Sequence, residues 1–148
     1  MQVKSITIDD ASLIIIAAKT ITATENEATF DLGSGDTFTE YPLEQVVIPM
    51  IAKLVVTSYS TTNGNETYAF KVQTSPDGTT WTDYSRIATL GAGTPTDGSV
   101  VPNTGGILQI GFFSNNRYVR IVSTLGGTSP SIVLANSYLN PLTNPFGG

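Results

Sequence analysis

Residues 67–90 read TYAFKVQTSPDGTTWTDYSRIATL, two alternating apolar and polar runs on either side of Pro76-Asp77-Gly78. Tyr68, Phe70 and Val72 fall on one side of an extended backbone and the polar alternates Lys71, Gln73 and Ser75 on the other. That period of two belongs to a half-buried strand, because a helix would scatter the same residues around its circumference. Pro76 presets its own φ, Asp77 offers a carboxylate to nearby backbone N–H groups, and Gly78 tolerates positive φ, so the chain reverses here. The stretch predicts an antiparallel β-hairpin, with Trp81 packing back over the turn and into the core.

The rest of the chain repeats this grammar. Strands are expected over 3–8, 13–18, 28–32, 46–50, 54–60, 67–74, 84–90, 107–113, 118–124 and 131–139, and no segment carries a helical stripe. Turn signals separate them: Gly33-Ser34-Gly35-Asp36, Asn63-Gly64, Asn103-Thr104-Gly105-Gly106, Asn115-Asn116 and Gly126-Gly127. Many short strands with frequent punctuation predict an all-β antiparallel fold, a jelly roll, β-sandwich or barrel. Asn63-Gly64 is the dipeptide that type I′ turns prefer, so 54–60 and 67–74 are expected to pair directly. The expected core draws on Val55, Tyr68, Phe70, Val72, Trp81, Leu108, Ile110, Val119, Ile121, Ile132 and Leu134. A one-residue slip would invert any strand's contribution.

At 148 residues the chain is long enough for one core that buries about 70% of the unfolded surface. Residues 1–139 are expected to form a single sandwich domain and residues 140–148 an extended C-terminal arm. Pro141 and Pro145 in that arm cannot donate ladder hydrogen bonds. Its apolar residues belong either to a frayed terminus or to a contact with a neighbouring subunit, for which Pro141, Leu142, Pro145 and Phe146 are the candidate residues. The segment 91–106 is a long Gly-, Thr- and Pro-rich loop of the kind that is usually functional or mobile.

Composition removes several classes of function. Only 13% of residues are charged and the net charge is −5, so the basic footprint that phosphate neutralisation demands is absent and direct nucleic-acid binding is not expected. There is no cysteine and no histidine, which rules out disulfides, thiolate nucleophiles and the usual proton shuttle. The apolar run 13–18 follows Asp9 and Asp10 and ends at Lys19, unlike a secretion signal. The run 46–56 is broken by Pro49 and Lys53 and falls short of the roughly 18 residues that a membrane span needs. A soluble, cytoplasmically made protein without a membrane partner is expected.

Carboxylates are the remaining acid/base candidates. Glu25 and Glu27 would share one face of a strand, and Asp77 and Asp83 flank the hairpin turn, but nothing in the pattern points to the cleft that paired catalytic carboxyls require. Asp31-Leu32-Gly33-Ser34-Gly35-Asp36 lacks the ligand alternation of a calcium loop. Gly33-x-Gly35 and Gly91-x-Gly93 lack the third glycine and following helix of a phosphate cradle. Asn65-Glu66-Thr67 fits the glycosylation triplet, which matters only in a secreted chain. No enzyme activity, metal or cofactor is expected.

Two segments together, KVQTSPDGTTWTDYS (71–85) and RYVRIVSTLGGTSPSIVLANSYL (117–139), resemble the small jelly-roll decoration, or cement, proteins of tailed-bacteriophage capsids. ATFDLGSGD (28–36) is similar to an Asp-Leu-Gly segment near the start of such chains. The resemblance implies a non-enzymatic virion protein on the capsid exterior, with the major capsid protein as partner and a homo-oligomer, dimer or trimer, as its natural form. The same signatures resemble discoidin-type jelly rolls, which show Ser-x-Asp-Gly-x-x-Trp and a later Arg-Tyr-Val-Arg, although this chain lacks the cysteine pair those domains commonly carry. Ser75-x-Asp77-Gly78 also looks like a sialidase Asp-box, without the residue that box places between Asp and Gly. These likenesses imply the alternative, a carbohydrate-binding β-sandwich of a tail fibre or surface protein, for which Trp81 would be the aromatic platform.

Overall fold

The computed structural model describes residues 14–32, 48–92, 103–114 and 116–141. In chain order the strands are β1 (Ile14–Ile16), β2 (Lys19–Ile21), β3 (Glu25–Asn26), β4 (Phe30–Asp31), β5 (Ile48–Tyr59), β6 (Thr67–Ser75), β7 (Thr82–Gly91), β8 (Gly106–Ser114), β9 (Tyr118–Gly126), β10 (Ile132–Leu134) and β11 (Ser137–Pro141). No helix occurs among the described residues, and every strand pairing is antiparallel.

Two sheets face each other. In the first, β5 pairs with β8 along one side and with β10 and β11, placed end to end, along the other; β2 and β1 then pair with β10 and β11. In the second, β6 lies between β7 and β9, and β3 and β4 run end to end along β9. With each interrupted strand taken as a single path, the chain visits the first sheet, the second, the first, the second twice, the first, the second and the first. This is the alternation of a jelly roll, in which two Greek keys close over one core.

The interruptions are themselves bonded. At the break between β10 and β11, the Val55 N–H donates to the Ser137 hydroxyl (3.0 Å) and the Ala135 N–H to the Val55 carbonyl (2.9 Å), while the Asn136 side chain accepts from the Ala18 N–H (2.8 Å). Between β3 and β4 the Glu27 N–H donates to the Ile121 carbonyl (2.9 Å). Polar backbone that leaves the ladder for one or two residues is thus still satisfied, as a buried sheet requires.

The core sits between the inner faces: Tyr68, Phe70 and Val72 of β6 and Val119 and Ile121 of β9 oppose Leu54 and Val56 of β5, Leu108, Ile110 and Phe112 of β8, and Ile132 and Leu134 of β10, all buried. At roughly 1.5–3 kcal/mol per fully buried large apolar side chain, this layer is the main favourable term in folding.

Several expectations need correction. Val55 points outward and its neighbours Leu54 and Val56 point in, so the slip of one residue did occur in this strand. Trp81 is half-buried at the surface and does not join the core. Asn63-Gly64 does not close a hairpin: β5 and β6 belong to opposite sheets, because their apolar residues must face each other across the core and cannot lie side by side. The 61–66 turn is instead held by the Glu66 carboxylate, which accepts from the Asn63 N–H (2.8 Å), the Asn63 amide (3.1 Å) and the Asn65 N–H (3.2 Å). These donors hold its pKa below the ordinary glutamate value.

The strands expected over 46–50 and 54–60 are one strand, β5. Lys53 keeps the alternation by facing outward, and Pro49 is tolerated because it precedes Met50, where pairing with β11 begins. Residues 140 and 141, expected in the arm, continue β11, with Asn140 opposite Ile51 and Pro141 opposite Met50. Pro141 is the last of the described residues in this ladder, and the end of a strand is where a missing N–H costs least. The expected strand over 3–8, most of the 91–106 loop, and Leu142, Pro145 and Phe146 lie outside the described residues.

Candidate functional site

The two segments that carry the family resemblance meet in the second sheet. β6 pairs with β7 through the Pro76-Asp77-Gly78 hairpin and with β9 in an unbroken register that sets Gln73 opposite Arg120 and Ser75 opposite Tyr118. The outer face of this sheet therefore presents side chains from both segments side by side.

The hairpin turn is built by its own polar groups. The Ser75 hydroxyl accepts from the Gly78 N–H (2.8 Å) and donates to Asp77 Oδ1 (2.9 Å), which accepts from the N–H groups of Thr79 and Thr80 (2.8 Å each). Backbone donation from Thr80 and then Thr79 drives the Asp77 pKa far below the ordinary aspartate value. Asp77 is a fixed anion that shapes a turn. Ser75, expected among the outward polar alternates, is buried for this purpose.

A chain of polar contacts then crosses the sheet. Asp83 on β7 accepts from Lys71 Nζ (2.9 Å) and from Gln73 Nε2 (2.6 Å), and Arg120 Nε donates to Gln73 Oε1 (2.8 Å). The Gln73 hydrogen bond and then Lys71 hold the Asp83 carboxyl below its ordinary pKa. The Arg120 guanidinium lies 4.2 Å from the centroid of the Trp81 ring, a cation–π stack that covers one face of the indole. Beside it, Arg117 makes a two-pronged pair with Asp31 (2.8 and 2.9 Å) and lies 5.0 Å from the Tyr118 ring centroid. The Asp31 hydrogen bond raises the Arg117 pKa.

The other acid pair is committed elsewhere. Lys19 contacts both Glu25 and Glu27, and its pKa is raised chiefly by the hydrogen bond to Glu25. Glu27 is 6% exposed, and the Ser123 hydroxyl donates to its Oε1 (3.0 Å). A buried carboxylate is tolerable only when so paired. Among the described residues no group of three or more His, Cys, Asp or Glu side chains is arranged to hold a metal ion, and no helix is long and apolar enough to cross a membrane.

This surface presents fixed charges, a capped indole and amide groups. It suits recognition of another polar surface, with Lys71, Arg117 and Arg120 as donors. Of the residues expected to make inter-subunit contacts, Pro141 closes β11, far along the chain from this face and in the other sheet. The stacking of Arg120 on Trp81 depends on a register between residues remote in sequence, and the only signal available beforehand was that both lie in the two segments bearing the resemblance.

No protein-family model matches the chain, and no curated protein matches it in sequence.

Proposed function

We propose that this protein is a non-enzymatic decoration protein of a tailed-phage capsid, binding the outside of the shell and bridging major capsid subunits. The observation that supports this reading most directly is the convergence of 71–85 with the β9 portion of 117–139 on one outer sheet face, where Trp81, Arg120, Gln73 and Asp83 form a single connected surface. Its mixture of fixed charge and amide groups suits a large, partly wet protein interface. Repeated attachment of an oligomer to a symmetric lattice would raise effective concentration and offset weak single contacts.

The test is occupancy. Purified protein is added to capsids that lack it, and bound copies are counted by co-sedimentation and by density on the shell. Symmetric exterior density is expected, reduced by Arg120→Ala and by removal of residues 142–148, a truncation that leaves β11 whole. No binding to capsids would overturn the reading.

The carbohydrate-binding alternative draws support from the surface position of Trp81. It predicts glycan binding that Trp81→Ala abolishes without unfolding the protein. Against it, the guanidinium of Arg120 already occupies one face of the ring that a sugar would need.

A further inference from the structure

Sheet edges invite unwanted pairing, and natural proteins protect them with charge, brevity, proline or bulges. Three of the four edges here follow that rule. β1 and β2 are three residues each and carry Lys19; β3 and β4 are two residues each and carry Glu25 and Asp31. β7 carries Asp83 and has an irregular register against β6.

The fourth edge, β8, does not. It runs nine residues, GILQIGFFS, with no charge and no proline, in unbroken register with β5, and among the described residues no strand pairs with its other side. Leu108, Ile110, Phe112 and Ser114 point into the core, leaving Ile107, Gln109, Gly111 and Phe113 on the outer face. Ile107 is 53% exposed and Phe113 57%, the two most exposed large apolar side chains among the described residues. Between them, a Cβ added at Gly111 would meet nothing within 4 Å. A glycine in mid-strand weakens the strand and often marks a place where another backbone or ligand approaches.

We propose that two copies of this chain pair antiparallel through β8, across a two-fold axis at Ile110. That register sets Ile107 opposite Phe113 of the second copy, and by symmetry Phe113 opposite its Ile107. Gln109 falls opposite the bare Gly111, whose open space receives the longer side chain. The strand is self-complementary in shape and has no like charges to bring together, as a two-fold interface requires. The eight-path jelly roll becomes a dimer in which both first sheets continue into each other. This interface is independent of the capsid reading and stands or falls without it.

Light scattering on a sizing column, over a dilution series of the full chain, tests the pairing. Wild-type protein is expected at twice the chain's mass and Gly111→Lys at the monomer mass, still folded with a cooperative melt because within one copy the added side chain enters open space. The absence of cysteine allows a second test that does not depend on that variant. Directly opposed residues of an antiparallel pair lie about 4.5–5.5 Å apart, within disulfide span. Ile107→Cys mixed with Phe113→Cys should therefore cross-link on oxidation, whereas neither variant should cross-link alone. A wild-type monomer or trimer, a dimer that survives Gly111→Lys, or cross-linking without the 107–113 preference would overturn the proposal.

Discussion

Removal of a single oxygen, by Tyr68→Phe, should destabilise the fold out of proportion to its size. The Tyr68 ring is fully buried in the core. Its hydroxyl lies 2.9 Å from the Ser60 carbonyl and 3.1 Å from that of Ser131, and it accepts from the Ser131 N–H at 3.0 Å. One phenol on β6 of the second sheet thus fastens two segments of the first, the end of β5 and the entry to β10. The Ser131 carbonyl has another donor, the Ser60 N–H at 2.8 Å, so its loss is small. The Ser131 N–H does not, and leaving this part-buried donor unpartnered costs about 1–3 kcal/mol. The phenyl ring keeps its tilted contact with Tyr59, 5.4 Å between centroids, so no cavity adds to that figure. The expected loss is about 1–3 kcal/mol, which for a domain of this size lowers Tm by roughly 2–10 °C. Urea titration followed by the fluorescence of the single Trp81 should show a lower midpoint with an unchanged slope. Tyr118→Phe, altering a half-buried tyrosine on the outer face, is the control and should change stability by less than about 0.5 kcal/mol. Equal stability of Tyr68→Phe and wild type, or a changed slope, would refute the idea that this hydroxyl bridges the sheets.

Three further outcomes are expected. Gly127→Ala places a side chain at φ 88° and drives its Cβ into the Asn65 carbonyl and to 2.7 Å from Glu66 Cα. It should cost about 2–4 kcal/mol, against about 1–2 for Gly64→Ala, where φ is similar but nothing lies within 4 Å; equal midpoints on thermal melting would contradict this. Asp77 has a folded pKa depressed below the ordinary value of 3.8, so its contribution is fully present above that pH and fades as pH falls toward the folded value. Urea midpoints measured from neutral pH downward should therefore drop less in Asp77→Asn than in wild type, and parallel curves would remove Asp77 from the acid response. Arg120→Ala should uncover the indole and shift Trp81 emission to longer wavelength, while the stability loss stays within about 1 kcal/mol for an exposed cation–π contact; an unmoved spectrum would mean that the stack does not persist in solution.

The alternation that governs this fold is legible wherever a strand has one wet and one dry face. Tyr68, Phe70 and Val72, Leu108 and Ile110, and Val119 and Ile121 are all buried as their spacing requires. It fails at β5, where Ile51, Val55 and the buried Ala52, Leu54 and Val56 are all apolar, so local pattern does not tell inside from outside. Only the pairing with β8 and β11 decides. The turn at Asn63-Gly64 was legible as a turn but not as a crossing between sheets, since that choice depends on what each strand must face. On the candidate surface, the Asp77 turn could be read from four consecutive residues. The contacts of Arg120 with Trp81 and Gln73 could not, because they follow from the register of β6 with β9. The exposure of Phe113 has the same origin: nothing in GILQIGFFS itself says which side of β8 lacks a neighbour.

The placement of β10 and β11 carries a consequence for how the molecule is made. These strands, the last of the described residues, lie between β5 and the earliest strands, β1 and β2. A growing chain on the ribosome can close the β6–β7 hairpin and pair β5 with β8, but half of the first sheet has no neighbour until residues 132–141 emerge. β1 and β2 must wait until residues 132–141 are made for partners that are distant in sequence, the situation in which folding is slow and nascent edges are most open to wrong pairing. A chain cut short before residue 132 would leave β1, β2 and one side of β5 exposed together.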